Sequence, residues 1–410
     1  MTDRPSNFSG AVSMALLKVL ALIAVVLNIL DTTVALENGL GLTPPMGFNT
    51  WNKFACDIHE DLVKDMAHAM IDSGLHKLGY QYINLDDCWQ ITRNETGYIV
   101  EDPNAFPSGM ASLIAHVHDL GLKFGLYSDA GLRTCAIRPG SLGYETKDAV
   151  LYAEWEVDFL KYDNCWNLGK DLKTRYQTMS DALNATGRPI FFSLCEWGEQ
   201  DPATWARPIG NMWRTFQDIR NDWNWILSCL DYNDKWHQYA GPGGWNDPDI
   251  LEVGNGVLSI AESRSHFTLW ALVKAPLLLG NDLRNMTSDI FEIISNKEVI
   301  ALNQDPLGIQ GNKRLSMNGT EVWAGDLSNN EYAIVLFNRS DKEADIVAKF
   351  DDIGIAANSP FFVRDIWMHK DLGIAHSGMV SAKVASHDVA AFRLKPVFPP
   401  TLRGKYHNIA

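Results

Sequence analysis

The chain has 410 residues, 46% of them hydrophobic, enough to bury one large core or two. Its net charge of -15 comes without any basic run of nucleic-acid type, which excludes a nucleic-acid partner. An acidic chain with 14 Trp, 12 Tyr and 17 Phe suits neutral ligands that stack on rings better than it suits polyanions.

Residues 1–35 differ from the rest. Met14 to Leu27 is apolar apart from Lys18, and small residues follow at Thr33 and Ala35. This is the pattern of a secretory signal peptide cleaved near Ala35, too short for a comfortable membrane span. No later segment is long and apolar enough to cross a bilayer, so no membrane association is expected after cleavage. Five Asn-x-Ser/Thr sequons follow, at Asn94, Asn184, Asn285, Asn318 and Asn338, each a candidate for glycosylation. All six cysteines lie beyond the leader, a count compatible with disulfides in an oxidising compartment, although spacing does not fix their pairing. An exported glycoprotein is expected, extracellular (cell wall) or vacuolar.

From Pro45 to about Asp282, short apolar runs alternate with helical patterns. The runs end in polar clusters: Met46–Trp51, Tyr82–Asp87, Phe124–Asp129, Val157–Cys165, Ile190–Glu196, Met212–Asp218, Trp245–Asp249 and Pro276–Asp282. Between them lie amphipathic stretches such as Leu62, Met66, Met70, Ile71 and Leu75, or Leu113, Val117 and Leu120 before Gly121. Eight strand–helix units over about 240 residues predict a (β/α)8 TIM barrel over residues 36–308. Beyond Leu307-Gly308 the helical pattern stops. Val322–Ala324, Tyr332–Phe337, Ile346–Ala348, Phe361–Trp367 and Val389–Leu394 are strand-like and separated by Asn, Gly, Asp and Ser turns. Residues 309–410 are therefore read as a C-terminal antiparallel β-sandwich domain with a loose tail.

Barrel enzymes carry their chemistry at the carboxyl ends of the strands. Val157-Asp158-Phe159-Leu160-Lys161-Tyr162-Asp163-Asn164-Cys165 fits that role. Asp163 is the candidate nucleophile, and Lys161, two residues earlier, shares its face by the strand period of two. A positive charge there favours the ionised carboxylate. The same pair also reads as a structural ion pair at a strand end. The other strand ends contribute Trp51, Asp86 and Asp87, then Cys195, Glu196 and Trp197, then Arg214, Asp218, Trp245 and Asp247. Several carboxylates with one Lys, one Arg and aromatic plates suit sugar cleavage, in which carboxylates do acid–base work and rings stack on apolar sugar faces. No zinc, thiol or serine-triad motif appears, and neither metal nor cofactor is expected. His116 and His118 fall in a helical pattern and read as surface residues, and Gly241-Pro242-Gly243-Gly244 reads as a turn. Trp89, Trp155 and Trp236 read as packing, Asp249 as a turn residue after Pro248, and Asp129 as an ion-pair partner or a substrate contact.

In six motifs the chain resembles glycoside hydrolase family 27, and among it the plant-type α-galactosidases (melibiases). They are Gly47-Phe48-Asn49-Thr50-Trp51-Asn52, Asn84-Leu85-Asp86-Asp87-Cys88-Trp89, Lys161-Tyr162-Asp163-Asn164-Cys165, Cys195-Glu196-Trp197-Gly198, Trp213-Arg214-Thr215 with Asp218-Ile219, and Trp245-Asn246-Asp247-Pro248-Asp249. The resemblance implies a retaining glycosidase releasing terminal α-D-galactose from galacto-oligosaccharides, galactomannans or galactolipids. In it Asp163 is the nucleophile and Asp218 the acid/base, with an acidic pH optimum, because a protonated Asp218 has to coexist with an ionised Asp163. It also implies that Trp51 walls the sugar ring and that Asp86 and Asp87 bind the 4- and 6-hydroxyls near Lys161. Arg214 and the Cys195–Trp197 stretch then line the 2-hydroxyl side, supported by Asp247. Disulfides are implied at Cys56–Cys88 and Cys135–Cys165, leaving Cys195 and Cys229 free. Glu196 and Trp197 look too bulky for an N-acetyl group, and an intact Asp87 favours galactose over β-L-arabinopyranose. A catalytically silent lectin is the reading from another class; it has no need of both Asp163 and Asp218. Phe216-Gln217, where smaller residues are frequent in the family, leave the aglycone open.

Overall fold

The computed structural model describes residues 35–356, 359–375 and 378–397. The expected leader lies outside the described residues except for Ala35, as does the tail beyond residue 397.

Eight parallel strands make one curled sheet: β1 (Met46–Asn49), β2 (Tyr82–Asn84), β3 (Lys123–Asp129), β4 (Phe159–Asp163), β5 (Phe191–Leu194), β6 (Met212–Arg214), β7 (Trp245–Asp247) and β8 (Leu277–Leu279). Their order is β8-β1-β2-β3-β4-β5-β6-β7, one strand for each expected run. Leu251, just past β7, completes the ring. Its N–H donates to the Leu278 carbonyl at 2.9 Å, and its carbonyl accepts from Gly280 at 3.1 Å.

The strand period of two divides each strand between two environments. Leu160 and Tyr162 of β4 face outward into the core shared with the helices, which include α1 (Glu60–Asp72), α2 (Met110–Asp119), α3 (Glu145–Glu154) and α4 (Leu172–Ala185). Tyr82, Phe159, Phe191, Met212, Trp245 and Leu278 form a separate apolar cluster, in which Phe159 and Phe191 stack at 4.9 Å. Each such buried side chain contributes about 1.5–3 kcal/mol. This plug closes the lower barrel, so polar side chains of the same inward faces gather above it.

Helix starts follow their local sequence. Asp171 accepts from Thr174 N at 2.8 Å ahead of α4, and Asp222 accepts from Trp225 N at 2.9 Å ahead of α5 (Trp223–Asp234). Ser259 and Glu262 form a capping box at α6 (Ile260–Leu272).

The C-terminal sheet runs β9 (Asn312–Met317), β10 (Thr320–Leu327), β11 (Glu331–Asn338), β16 (Val389–Pro396), β13 (Phe361–Asp365), β14 (Lys370–Ala375), all antiparallel. A second layer pairs β12 (Ala344–Lys349) with β15 (Met379–Val384). Ile334, Leu336, Phe392 and Leu394 of the large sheet share a core with Ile346, Ala348, Val380 and Val384 of the small one. Trp323, Val335, Phe337 and Ala391 instead join the barrel core, which welds the two units.

Among the sequons, Asn94, Asn184, Asn285 and Asn318 are exposed. Asn338 is a correction. Its side chain is fully buried, and its amide donates to the carbonyls of Lys342, Val384 and Ala385 at 2.8, 3.0 and 3.0 Å, so a glycan has no room there in the folded chain.

Candidate active site

A cleft of about 350 Å³ opens at the carboxyl ends of the barrel strands, lined by groups from most of the strand–helix loops. Asp163 lies on its floor at the end of β4. Its Oδ2 accepts from the Tyr127 hydroxyl at 2.8 Å, and its Oδ1 from Asn164 N at 2.9 Å. Burial is the largest influence on this carboxyl and pushes its pKa up to about 6. The Lys161 charge opposes that shift, and the Asp218 charge adds to it. Lys161 does share the face of Asp163, but its ion pair is with Asp86, Nζ to Oδ2 at 2.8 Å. The same Asp86 oxygen accepts from Asn49 Nδ2 at 2.8 Å. The neighbouring Asp87 accepts from Cys88 N at 2.7 Å and Ala136 N at 2.9 Å.

Trp51, on the short helix Trp51–Phe54 after β1, also lines the cleft. Arg214, at the end of β6, is buried and forked between carboxylates: Nη2 lies 2.8 Å from Asp249 Oδ2 and Nη1 3.1 Å from Asp218 Oδ1. Asp218 is at the mouth, its side chain 68% exposed.

Two disulfides brace this face. Cys56–Cys88 ties the loop after β1 to that after β2, and Cys135–Cys165 ties the loop after β3 to that after β4. Cys195 and Cys229 are free and buried, in keeping with the pairing implied above. Gly131 has to be glycine, because a Cβ there would stand 1.9 Å from the Cys165 carbonyl.

The cleft lining includes Trp51, Asp86, Asp87, Lys161, Asp163, Arg214 and Asp218 of the expected residues. Cys195 and Asp247 lie beneath it, around a small cavity that also touches Lys161 and Arg214. The Cys195 thiol accepts from Arg214 Nη1 at 3.4 Å, and burial pushes the Asp247 carboxyl up to about 6. Trp245 is part of the apolar plug, not of the sugar wall. Glu196 and Trp197 do not line the cleft, contrary to expectation. The chain turns at Trp197 (φ 59°) and packs Gly198 against the Thr215 backbone, where a Cβ would meet the carbonyl at 2.4 Å. The Glu196 carboxyl is left buried with no hydrogen bond from another described residue, and burial holds it well above the carboxylate range. Asp129 is also drawn inward: it accepts from Gly131 N and Cys165 N at 2.6 and 3.0 Å and holds the two loops together.

Tyr127, Asp249, Asn52 and Glu252 are among the lining residues that escaped the sequence reading. Tyr127 is paired in register with Lys161, so the inward face of β3 carried a signal for it. Asp249 was read as a turn residue, yet it anchors both Arg214 and Ile219 N, the latter at 2.8 Å. Asn52 donates to Glu252 at 2.9 Å, and burial pushes that acid up to about 7. The lining role of Asp249, Asn52 and Glu252 comes from loop folding and left no local signal.

Residues 43–305 match the family model described as alpha galactosidase A, and residues 317–394 match that of the alpha galactosidase C-terminal beta sandwich domain. An alpha-galactosidase of Cyamopsis tetragonoloba is 55% identical over 362 residues, covering 88% of each chain. The crystal structure of alpha-galactosidase I from Mortierella vinacea superposes with a TM-score of 0.85 at 40% identity, covering 87% of this chain and 98% of that one. An alpha-galactosidase from Saccharomyces cerevisiae solved with raffinose gives 0.84 at 32% identity, covering 88% of this chain and 100% of that one.

Proposed function

The chain belongs to the alpha galactosidase A family, and on that premise we propose a retaining α-galactosidase whose nucleophile is Asp163 and whose acid/base is Asp218. It is a glycoside hydrolase that removes terminal α-D-galactose from galactosides. The observation that carries the residue roles is the meeting of two carboxyls in one cleft in opposite settings. Asp163 is buried on the floor and fixed by Tyr127 and Asn164, whereas Asp218 is exposed at the mouth.

In the first step an Asp163 oxygen bonds to the anomeric carbon while the bond to the leaving oxygen breaks, and Asp218 gives its proton to that oxygen. In the second step Asp218 takes a proton from water, the water oxygen bonds to the anomeric carbon, and the Asp163 carboxylate departs. Two inversions retain the configuration. Asp86, Asp87 and Lys161 are placed to hold hydroxyls, and Trp51 offers a ring face to the sugar. The leader, the four exposed sequons and the two disulfides support export, with the leader ending near Ala35 and the barrel giving way to the sandwich near residue 308.

Hydrolysis of p-nitrophenyl α-D-galactoside by the parent, Asp163→Gly and Asp218→Gly tests the roles. Both variants are expected to lose nearly all activity, and azide separates them. With Asp218→Gly it attacks the galactosyl-enzyme and gives the α-azide; with Asp163→Gly it attacks the substrate directly and gives the β-azide. The reverse pair of products would exchange the two assignments.

A further inference from the structure

The loop after β6 carries a group that the reaction above does not use. Trp225 Nε1 donates to the Asp218 carbonyl at 2.8 Å, so its indole is fixed to the acid/base segment. The Arg220 guanidinium lies over that indole, 4.0 Å from the ring centroid. Phe216 braces the same surface, stacked on Tyr232 at 4.0 Å and 5.7 Å from Trp225. Arg220 and Asn221 both line the cleft.

The other cleft cations are committed, Lys161 to Asp86 and Arg214 to Asp249 and Asp218. Arg220 has no carboxylate within salt-bridge distance among the described residues, although the cleft is rich in acids. A guanidinium held over an indole is pre-organised, and its N–H donors remain available in a fixed fork. The chemistry fixes what those donors meet: the leaving oxygen has to lie against Asp218, so the leaving group occupies the cleft on the side where Arg220 stands.

We propose that Arg220, held on Trp225, reads the leaving group by hydrogen bonding to the hydroxyls of a sugar aglycone. It thereby favours galactosides whose aglycone is itself a sugar ring over those with an aryl group. This rests on Asp218 being the acid/base, and it gives the Phe216–Trp225 aromatic surface a purpose: to support the guanidinium.

The test compares the parent with Arg220→Ala and Arg220→Lys on melibiose, raffinose and p-nitrophenyl α-galactoside, with inhibition by free galactose as the readout of the sugar pocket. In Arg220→Ala the kcat/KM ratio of melibiose or raffinose to the nitrophenyl substrate is expected to fall about tenfold, the scale of one charge-assisted hydrogen bond. The loss should fall mainly in KM, and galactose inhibition should weaken far less than the sugar-aglycone reaction. Arg220→Lys keeps the charge without the fork and should restore only part of the ratio. An unmoved ratio, or an equal loss on all substrates together with weakened galactose inhibition, overturns the inference. Full activity in Asp218→Gly would overturn the reading of the site and this inference with it. The expected azide product with an unmoved ratio would overturn this inference alone.

Discussion

Lys161 Nζ lies 2.8 Å from Asp86 Oδ2, so the cation two residues before the proposed nucleophile Asp163 is ion-paired with a different acid. Asp86 is almost wholly buried, and Lys161 is partly so. The lysine therefore neutralises one carboxylate by contact while lowering the proton affinity of Asp163 through space.

Removing the lysine should accordingly damage fold and function together. In Lys161→Ala a buried Asp86 carboxylate keeps its Asn49 contact and loses its counter-charge, which is expected to cost about 3 kcal/mol of stability. Adding Asp86→Asn removes the stranded charge, so the double variant should recover much of the unfolding midpoint but none of the galactose affinity. Chemical denaturation beside galactose inhibition checks both; recovery of both would leave Lys161 with a purely structural role.

The Tyr127 hydroxyl stabilises the ionised form of Asp163, and the carboxyl is already pushed up to about 6 by burial. As the proposed nucleophile, Asp163 has to be ionised, so activity is expected to fall as pH drops through that range. Tyr127→Phe removes a donor from the charged form and should move the acid limb of kcat/KM up by about one pH unit, the equivalent of one charge-assisted hydrogen bond. A pH–rate profile with an unmoved acid limb would show that another group sets it. The same burial narrows the acidic optimum expected from sequence: the lower edge is drawn toward pH 6 because burial outweighs Lys161.

Burial also ties stability to pH. Asp163 and Asp247 are pushed up to about 6 and Glu252 to about 7, with burial the first cause for each. Their folded pKa values exceed the unfolded ones, so between the two the folded state binds more protons. This contribution is fully present below about pH 4 and is lost as pH rises through 6 to 7. Glu298 is lowered instead by its contact with Arg364, and Glu262, against the upward pull of burial, by contacts with Ser259 and His387; both withdraw stability on the acid side. The unfolding midpoint should therefore peak on the mildly acidic side and fall by several degrees toward pH 8. A midpoint that rises from pH 5 to 8 would contradict it.

How much of this was legible in the sequence depended on where each signal resides. The barrel strands were readable because parallel strands buried on both faces are continuous apolar runs that end in polar clusters. The shared face of Lys161 and Asp163 followed from the strand period alone. In the sandwich, β14 was missed because Lys370–Ala375 is almost wholly exposed, its Leu372 and Ile374 included, and β15 because Met379–Val384 buries only Val380 and Val384. In the site, Asp249 depends on a left-handed turn after Pro248 (φ 88°) that swings its carboxylate to Arg214, and a loop's path is not written in its hydrophobic pattern. Glu196 is the same case in reverse: its motif is intact, but beside the left-handed turn at Trp197 its side chain is wholly buried.

The two disulfides offer a comparison in which stability is matched and function is not. They close segments of nearly equal separation, 32 residues for Cys56–Cys88 and 30 for Cys135–Cys165. Removing either pair by alanine substitution should cost about 3–4 kcal/mol. Their positions differ, however. Cys56–Cys88 lies beside Trp51 and Asp87, on the side proposed to hold the sugar, whereas Cys165 follows Asp163 by two residues and pins the loop whose Asn164 N–H fixes the Asp163 carboxylate. Loss of the first bridge should weaken galactose inhibition and raise KM. Loss of the second should lower kcat with a smaller effect on galactose binding, because Asp86 and Asp87 stay tied to Lys161 and Cys88. Steady-state kinetics and galactose inhibition on the two double variants check this, and identical kinetic losses in both would show that the bridges act only through stability.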